Sequence, residues 1–372
     1  MAHLLPILTT ALTLDEAPTD VHDWEGKETN VLVLNYTMAC PLACDFCCYA
    51  CHPGRKEKMQ LSRALSLVDQ AADLEVFSSV GFTGGEVMLF YDDILTIGER
   101  LREHTLPFTI ATAGHWATSR NVARSMLEPL ASRGLIRLNV SCDPSHSRFV
   151  PKDSVVHACI AASALHIPTY VVGTFYSPSE SLESFVPELS QLEGVHLVDK
   201  YVAKVGRASK REISQATYGF DLVLEDLCCY RRVYHDLVVF YDGKAYPCCS
   251  TFNRASPGIN VGNAFTEGLR TIWERVEGSL MFRVMKRQGF DELYRIVERM
   301  DPALFKLLPP ASSTCGPCSL CNQIFKSAHI AARVQEVFAR YEQERVEGAI
   351  DVMAEMLGES SLAALLQTIV AE

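Results

Sequence analysis

The sequence predicts an α/β fold: a partial (β/α)6 barrel of the TIM-like kind, then a small α+β extension and a helical tail. Three observations predict it. Between residues 30 and 203, six apolar, β-branched runs alternate with segments of helical periodicity. Those runs are apolar almost throughout, as parallel strands covered on both faces must be. After about residue 206 the alternation stops, and turns and clustered cysteines replace it. Six units are too few to close an eight-stranded barrel, so an open or partial one is expected. Functional groups then belong at the carboxyl ends of its strands.

Taken in order, VLVLNY (31–36) is the first strand and LSRALSLVDQAADL (61–74) the first clear helix. SVGFT (79–83), PFTIAT (107–112), LIRLNVS (135–141), PTYVVGTF (168–175) and VHLVDKYV (195–202) are the remaining strands. Helices are expected near 92–104, 118–133, 153–166 and 181–192. LVVFYDGKAYPCC (237–249) reads as a hairpin, with Asp242-Gly243 supplying the turn. Helical patterns follow near 266–300, and LLPPASSTCGPCSLC (307–321) is a Pro/Ser-rich connection into cysteines. From Asn322 onward the chain reads as helix. The expected divisions are an N-terminal extension (1–28), the barrel (29–206), the cysteine-bearing extension (207–325) and the tail (326–372).

Composition narrows the functional classes. The chain has 372 residues, 48% of them hydrophobic, enough to bury a large core. A net charge of −11 argues against nucleic acid and anionic membrane surfaces, which need concentrated Lys and Arg. No apolar run approaches the roughly 20 residues that span a bilayer. LLPILTTALTL (4–14) has the length of a signal-peptide core, but no Lys or Arg precedes it and acidic residues follow. The fourteen cysteines fall mainly into CxxxCxxC, CC, CC and CxxCxxC groups. Such grouping in a chain of enzyme size points to metal binding in the cytoplasm rather than to a secreted disulfide framework.

Five cysteines lie within residues 40–51. Cys40, Cys44 and Cys47 form CxxxCxxC directly after the first strand, where a loop at the barrel mouth would lie. Three thiolates in one loop can hold three irons of a [4Fe–4S] cube and leave the fourth open as a coordination site. Two other readings stay open: a zinc site completed by Cys51 or His52, and a rival register, Cys40/Cys44/Cys48.

This motif, with Phe46 before its last cysteine, resembles that of the radical S-adenosylmethionine (SAM) enzymes. GFTGGEVML (81–89) looks like that family's GGE segment. The resemblance implies that Gly84, Gly85 and Glu86 meet the methionine amino group of SAM. Glycines allow close backbone approach and a carboxylate can hold an ammonium, which agrees. ATAGHWATS (111–119) resembles the TNG segment of one subgroup, with Ala113 where Asn is usual. RLNVSCDPSHSRFVP (137–151) resembles the fourth-strand region, where Asn139 and Ser141 would serve the SAM ribose or carboxylate; a plain polar pair at a strand end is the other reading. KVGRA (204–208) resembles the adenine-side segment after the last strand.

The C-terminal cysteines resemble the auxiliary-cluster extension called SPASM or, when shortened, twitch. Cys229 precedes Gly243 and Cys248, and Cys315, Cys318 and Cys321 follow much later. The resemblance implies one auxiliary [4Fe–4S] cluster held by Cys229, Cys248, Cys318 and either Cys315 or Cys321, with Cys228 and Cys249 as adjacent spares. Disulfides or zinc are the alternatives for this set. VGNAFTEGLRTIWE (261–274) is similar to the stretch that follows the hairpin in such proteins.

What the resemblance implies is a SAM-dependent oxidoreductase: one electron entering the cluster breaks a SAM C–S bond, and a 5′-deoxyadenosyl radical takes a C–H hydrogen from the substrate. Maturation of a ribosomally made peptide is the expected role. Tailoring of a small molecule, by a sugar or aminocyclitol dehydrogenase or dehydratase, is the alternative, and a non-catalytic metal-binding scaffold is the third reading. The expected partners are the substrate, an electron donor such as flavodoxin or ferredoxin, and a separate leader-peptide-binding protein, since 30 residues before the first strand are too few for a fused one. No residue is assigned as an acid, base or nucleophile. Cys142 and Cys159 read as small buried hydrophobes; His115 and His146 as loop or capping residues; Asp143 and Arg148 as a turn or ion pair. RRVYH (231–235) reads as a substrate lining or a solvated basic loop.

Overall fold

The computed structural model describes residues 29–211, 222–229, 236–358 and 360–361; the N-terminal extension and RRVYH lie outside them. Nine strands form one sheet in the order β6-β5-β4-β3-β2-β1-β7-β8-β9. The first six are β1 (Asn30–Thr37), β2 (Phe77–Gly84), β3 (Phe108–Thr112), β4 (Leu135–Ser141), β5 (Thr169–Phe175) and β6 (Val195–Tyr201). All pair in parallel with their sequence neighbours, as alternating strand and helix requires.

The helices between them are α1 (Leu61–Leu74), α2 (Tyr91–Glu103), α3 (Arg120–Ala131) and α4 (Lys152–Ala164), with a single turn α5 (Leu182–Phe185) before β6. In α1 the buried residues are Ala64, Leu67, Val68 and Ala71, the i, i+3, i+4, i+7 stripe of a helix on a sheet. Ser119 caps α3 by accepting the Val122 N–H at 3.3 Å. The helix expected over 181–192 is cut short. Pro187, which cannot donate a backbone hydrogen bond, opens a separate 3-10 turn over Pro187–Gln191.

Strand alternation gives the sheet two faces. The helix-covered face carries Leu32, Leu34, Phe82, Phe108 and Ile110, all essentially inaccessible, with the Phe108 ring against Gly98 of α2. The opposite face carries Val31 and Val33, which would touch a Cβ at Gly81, together with Thr109. Register places Arg137, Asn139 and Ser141 on this same inner face, half-buried.

The predicted hairpin is present as β7 (Asp236–Phe240) and β8 (Lys244–Tyr246), and β9 (Gly262–Asn263) pairs beyond it. The sequence did not foretell where this hairpin goes. β7 lies parallel to β1, pairing Val31 with Asp236 and Asn35 with Phe240, so the extension continues the barrel sheet. Helices α6 (Ala264–Glu267), α7 (Leu269–Glu277), α8 (Leu280–Arg287), α9 (Gly289–Met300), α10 (Pro302–Phe305) and α11 (Pro317–Phe325) follow. The tail is one long helix, α12 (Ala328–Leu357), which buries Ala331, Val334, Val337, Phe338 and Tyr341 in its first half. Among the described residues no helix is long and apolar enough to cross a membrane.

Candidate active site

The singled-out residues gather at the carboxyl ends of the parallel strands. Cys40 to Cys51 follow β1, Glu86 follows β2, Ala113 follows β3, Asp143 and His146 follow β4, and Arg207 follows β6. All fourteen cysteines are free thiols.

Cys40, Cys44 and Cys47 share one small packed group with Leu42, Ala113 and Val150. The loop is wound tightly: Cys47 N donates to Cys44 O at 3.2 Å and Ala50 N to Cys47 O at 3.1 Å. Their sulfurs are not equivalent. The Cys51 thiol donates a hydrogen bond to Cys47; burial opposes ionisation, but amide N–H groups of Cys51 and Tyr49 and the charge of Arg207 add to the first effect, and the Cys47 pKa falls to about 6. The Cys51 amide reaches the Cys47 sulfur at 3.3 Å. At Cys40 burial dominates and the pKa rises to about 12, with Glu86, Cys44 and Cys47 adding to it. Burial also drives the Cys48 thiol strongly upward, and its neighbours are Cys47 and Cys249. Cys48 thus turns away from the Cys40–Cys44 side, toward the C-terminal hairpin.

The segment Gly84-Gly85-Glu86 has a structural reason of its own. It crosses the end of β1: Gly85 N donates to Thr37 O at 2.6 Å and Glu86 N to Ala39 O at 2.9 Å. A Cβ on Gly85 would lie 2.1 Å from Ala39 O, and Gly84 has φ +143°. Gly85→Ala is therefore expected to cost about 1–3 kcal/mol. It should lower the urea midpoint and, by displacing Ala39, reduce iron retained per chain.

Glu86 is fully buried. Oε1 accepts from Met88 N at 3.0 Å and Thr112 Oγ1 at 2.9 Å, Oε2 accepts from Ala113 N at 2.7 Å, and His115 Nδ1 stands 3.6 Å from Oε2. A carboxylate offers about four lone-pair sites, so one acceptor position is left over. Asn139 and Ser141 lie two residues apart on the inner face of β4, as expected from strand alternation.

Two features went unread in the sequence. His146, expected as a loop residue, is built into the site. Its Nδ1 is 2.7 Å from Asp143 Oδ2, and Asp143 also accepts from Ser145 N, His146 N and Thr174 N. Burial alone would lower the imidazole pKa, but hydrogen bonds to Asp143 and the Cys44 sulfur outweigh it and raise it to about 10. Phe46 packs edge-on against the same ring at 5.4 Å. A histidine three residues after an aspartate at a strand end was the only available signal. The second feature is Arg207, whose acceptors are main-chain carbonyls that a sequence does not display.

The C-terminal cysteines converge as well. Cys248 is half-buried, with Cys229, Cys318, Cys321 and Cys249 around it. Cys321 is likewise half-buried, beside Cys318 and Cys229. Cys315 precedes α11, separated from it by Gly316 at φ 137°. Cys228 lies against Gly289. Tyr49 joins the two cysteine groups: its hydroxyl donates to Ser250 O at 3.2 Å, its ring meets Phe240 at 5.4 Å, and Cys48, Cys249, Cys248 and Cys51 surround it.

Among the described residues no three His, Cys, Asp or Glu side chains come together closely enough for a single metal ion. Zinc needs sulfurs about 3.8 Å apart around Zn–S bonds of about 2.3 Å. Three thiols of one loop packed into one group, Cys40, Cys44 and Cys47, suit a cube held by three cysteines.

Residues 34–192 match the Radical SAM superfamily, and residues 228–294 match SPASM, an iron-sulfur cluster-binding domain. The chain carries both domains and is a radical SAM enzyme of the SPASM-bearing kind, whose cofactors are a [4Fe–4S] cluster, SAM and auxiliary iron–sulfur chemistry. It is 24% identical over 299 residues to the "Putative peptide biosynthesis protein YydG" of Bacillus subtilis (strain 168), covering 79% of this chain and 92% of that one. It is 28% identical over 191 residues to the "Probable GTP 3',8-cyclase" of Methanopyrus kandleri, covering 48% and 58%. The solved structure of native anSMEcpe with bound AdoMet superposes with a TM-score of 0.51 at 15% identity, covering 87% of this chain and all of that one. That likeness supports the fold.

Proposed function

We propose that the enzyme matures a peptide by hydrogen-atom abstraction. The observation that carries this is the similarity to the Bacillus subtilis peptide biosynthesis protein along nearly that protein's whole length. Cys40, Cys44 and Cys47 hold the SAM-binding [4Fe–4S] cluster. Cys229, Cys248, Cys318 and Cys321 hold one auxiliary [4Fe–4S] cluster, while Cys315 stays outside it. When bound, cluster and SAM together supply the one-electron reduction that breaks a SAM C–S bond and starts C–H abstraction. The chain's own groups do the rest. The spare acceptor position of Glu86, beside Gly84 and Gly85, would hold the SAM ammonium, and Asn139 and Ser141 would present polar groups to its ribose or carboxylate. His146, fixed by Asp143, hydrogen-bonds the Cys44 sulfur, and Leu42, Ala113 and Val150 keep water from the thiolates.

An electron donor of the flavodoxin or ferredoxin kind and a separate leader-peptide-binding protein complete the system. Fourteen cysteines with no disulfide among them favour the cytoplasm as its place. The test is anaerobic reconstitution, iron and sulfide quantitation, and 5′-deoxyadenosine formation with SAM and dithionite. Short peptides encoded beside the gene are then incubated and examined by mass spectrometry. The expected result is SAM cleavage and a mass or isotope change confined to one peptide residue. SAM cleavage without any peptide change, alongside turnover of a sugar or aminocyclitol, overturns the peptide reading.

A further inference from the structure

The loop bearing Cys40, Cys44 and Cys47 is gripped from outside by one side chain. Arg207 donates through Nη1 to Cys44 O at 2.5 Å and through Nη2 to Cys51 O, and its backbone amide donates to Cys47 O at 3.1 Å. Gly206 closes on the same loop: a Cβ there would sit 2.3 Å from Cys47 O and 2.4 Å from Cys48 O. One guanidinium thus spans the loop from its second cysteine to its last.

The acceptors are all neutral carbonyls. Among the described residues no carboxylate pairs with Arg207, and the loop's own acid, Asp45, is engaged by Arg211 at 2.9 Å and Ser145 at 2.6 Å. Among the described residues a full positive charge therefore faces the cysteine loop with no carboxylate paired to it, in a chain of net charge −11. A fixed charge matters most where a negative charge is about to be added.

We propose that Arg207 is a positioning residue for electron entry, its fixed charge beside the cysteine loop raising the reduction potential of the cluster seated on Cys40, Cys44 and Cys47. This rests on the reading that those cysteines hold the SAM-binding cluster. A unit charge within about 12 Å, at an effective dielectric near 20, shifts a one-electron equilibrium about tenfold or more. The carbonyl hydrogen bonds alone do not depend on charge, so two substitutions separate the roles. Arg207→Lys keeps the charge and loses the two-pronged grip; Arg207→Gln keeps a donor and loses the charge.

Both variants and the wild type are reconstituted as full chains and titrated with dithionite under EPR. The SAM-binding cluster is identified as the signal that changes on adding SAM. At the poise where half of the wild-type cluster is reduced, Arg207→Gln should show about tenfold less reduced relative to oxidised cluster. Arg207→Lys should stay within about threefold of wild type, with iron per chain unchanged. A wild-type midpoint in fully loaded Arg207→Gln overturns the proposal. So does an equal shift in both variants, or loss of iron in both, since either makes Arg207 a fastener only. If the SAM-sensitive signal survives in Cys40→Ala or Cys47→Ala, the cluster assignment is what has failed.

Discussion

Cys47→Ala is expected to lose about four irons per chain and all 5′-deoxyadenosine formation, whereas Cys48→Ala keeps both. The two thiols are neighbours in sequence, and spacing alone admits either. Their surroundings differ. Cys47 accepts hydrogen bonds from the Cys51 thiol and amide, which favour the ionised sulfur that iron requires. Cys48, half-buried, has Cys249 of the C-terminal group among its neighbours instead. Cys51→Ala should lie between them: it removes the donor to Cys47 without removing a ligand, so iron loads and is lost faster to chelators. Iron and sulfide quantitation with a SAM-cleavage assay reads all three. Retention of the cluster in Cys47→Ala and its loss in Cys48→Ala would establish the rival register.

Glu86→Gln is expected to weaken SAM binding about 10- to 100-fold, the loss of a charge-assisted hydrogen bond to the ammonium. It also destabilises the fold, because an amide N–H₂ must face the Ala113 N–H or the Met88 and Thr112 donors where a carboxylate oxygen now accepts. The cost is on the order of 1–3 kcal/mol. Glu86→Ala strands all three donors in a buried place and should cost on the order of 3 kcal/mol or more. Equilibrium dialysis with SAM and urea unfolding of the same samples separate the two effects. A folded Glu86→Gln enzyme with wild-type SAM affinity would confine Glu86 to its structural bonds, and a non-catalytic scaffold would keep its function even in Glu86→Ala.

Much of the barrel was legible in the sequence because its strands are covered on both faces and its helices on one. LSRALSLVDQAADL shows its buried stripe directly, and the helix spans 61–74 as expected. The helix expected over 181–192 was not legible in full, since its periodicity outran the break at Pro187. The choice between Cys315 and Cys321 could not come from spacing, which is CxxC on either side of Cys318. The proposed choice of Cys321 rests on α11 starting at Pro317, which sets Cys318 and Cys321 one turn apart, with Cys315 before Gly316. His146 and Arg207 were hidden for a related reason: each meets the cysteine loop, His146 at the Cys44 sulfur and Arg207 at main-chain carbonyls, far away in the sequence. The candidate seat of Cys40, Cys44 and Cys47 was readable because the three lie in one short loop.

The parallel pairing of β7 with β1 has a consequence for the birth of the enzyme. Val31 to Asn35 meet partners about 200 residues later in the chain. As the chain leaves the ribosome, β1 can pair with β2 early, but its other edge stays bare until the hairpin arrives. That edge is apolar, with Leu32 and Leu34 at its centre, and a bare apolar edge invites misassociation. Tyr49 likewise has no Ser250 to rest on until then. A chain ended near residue 206 should therefore be an aggregating fragment rather than a minimal enzyme, and iron delivery in the cell should follow release of the whole chain.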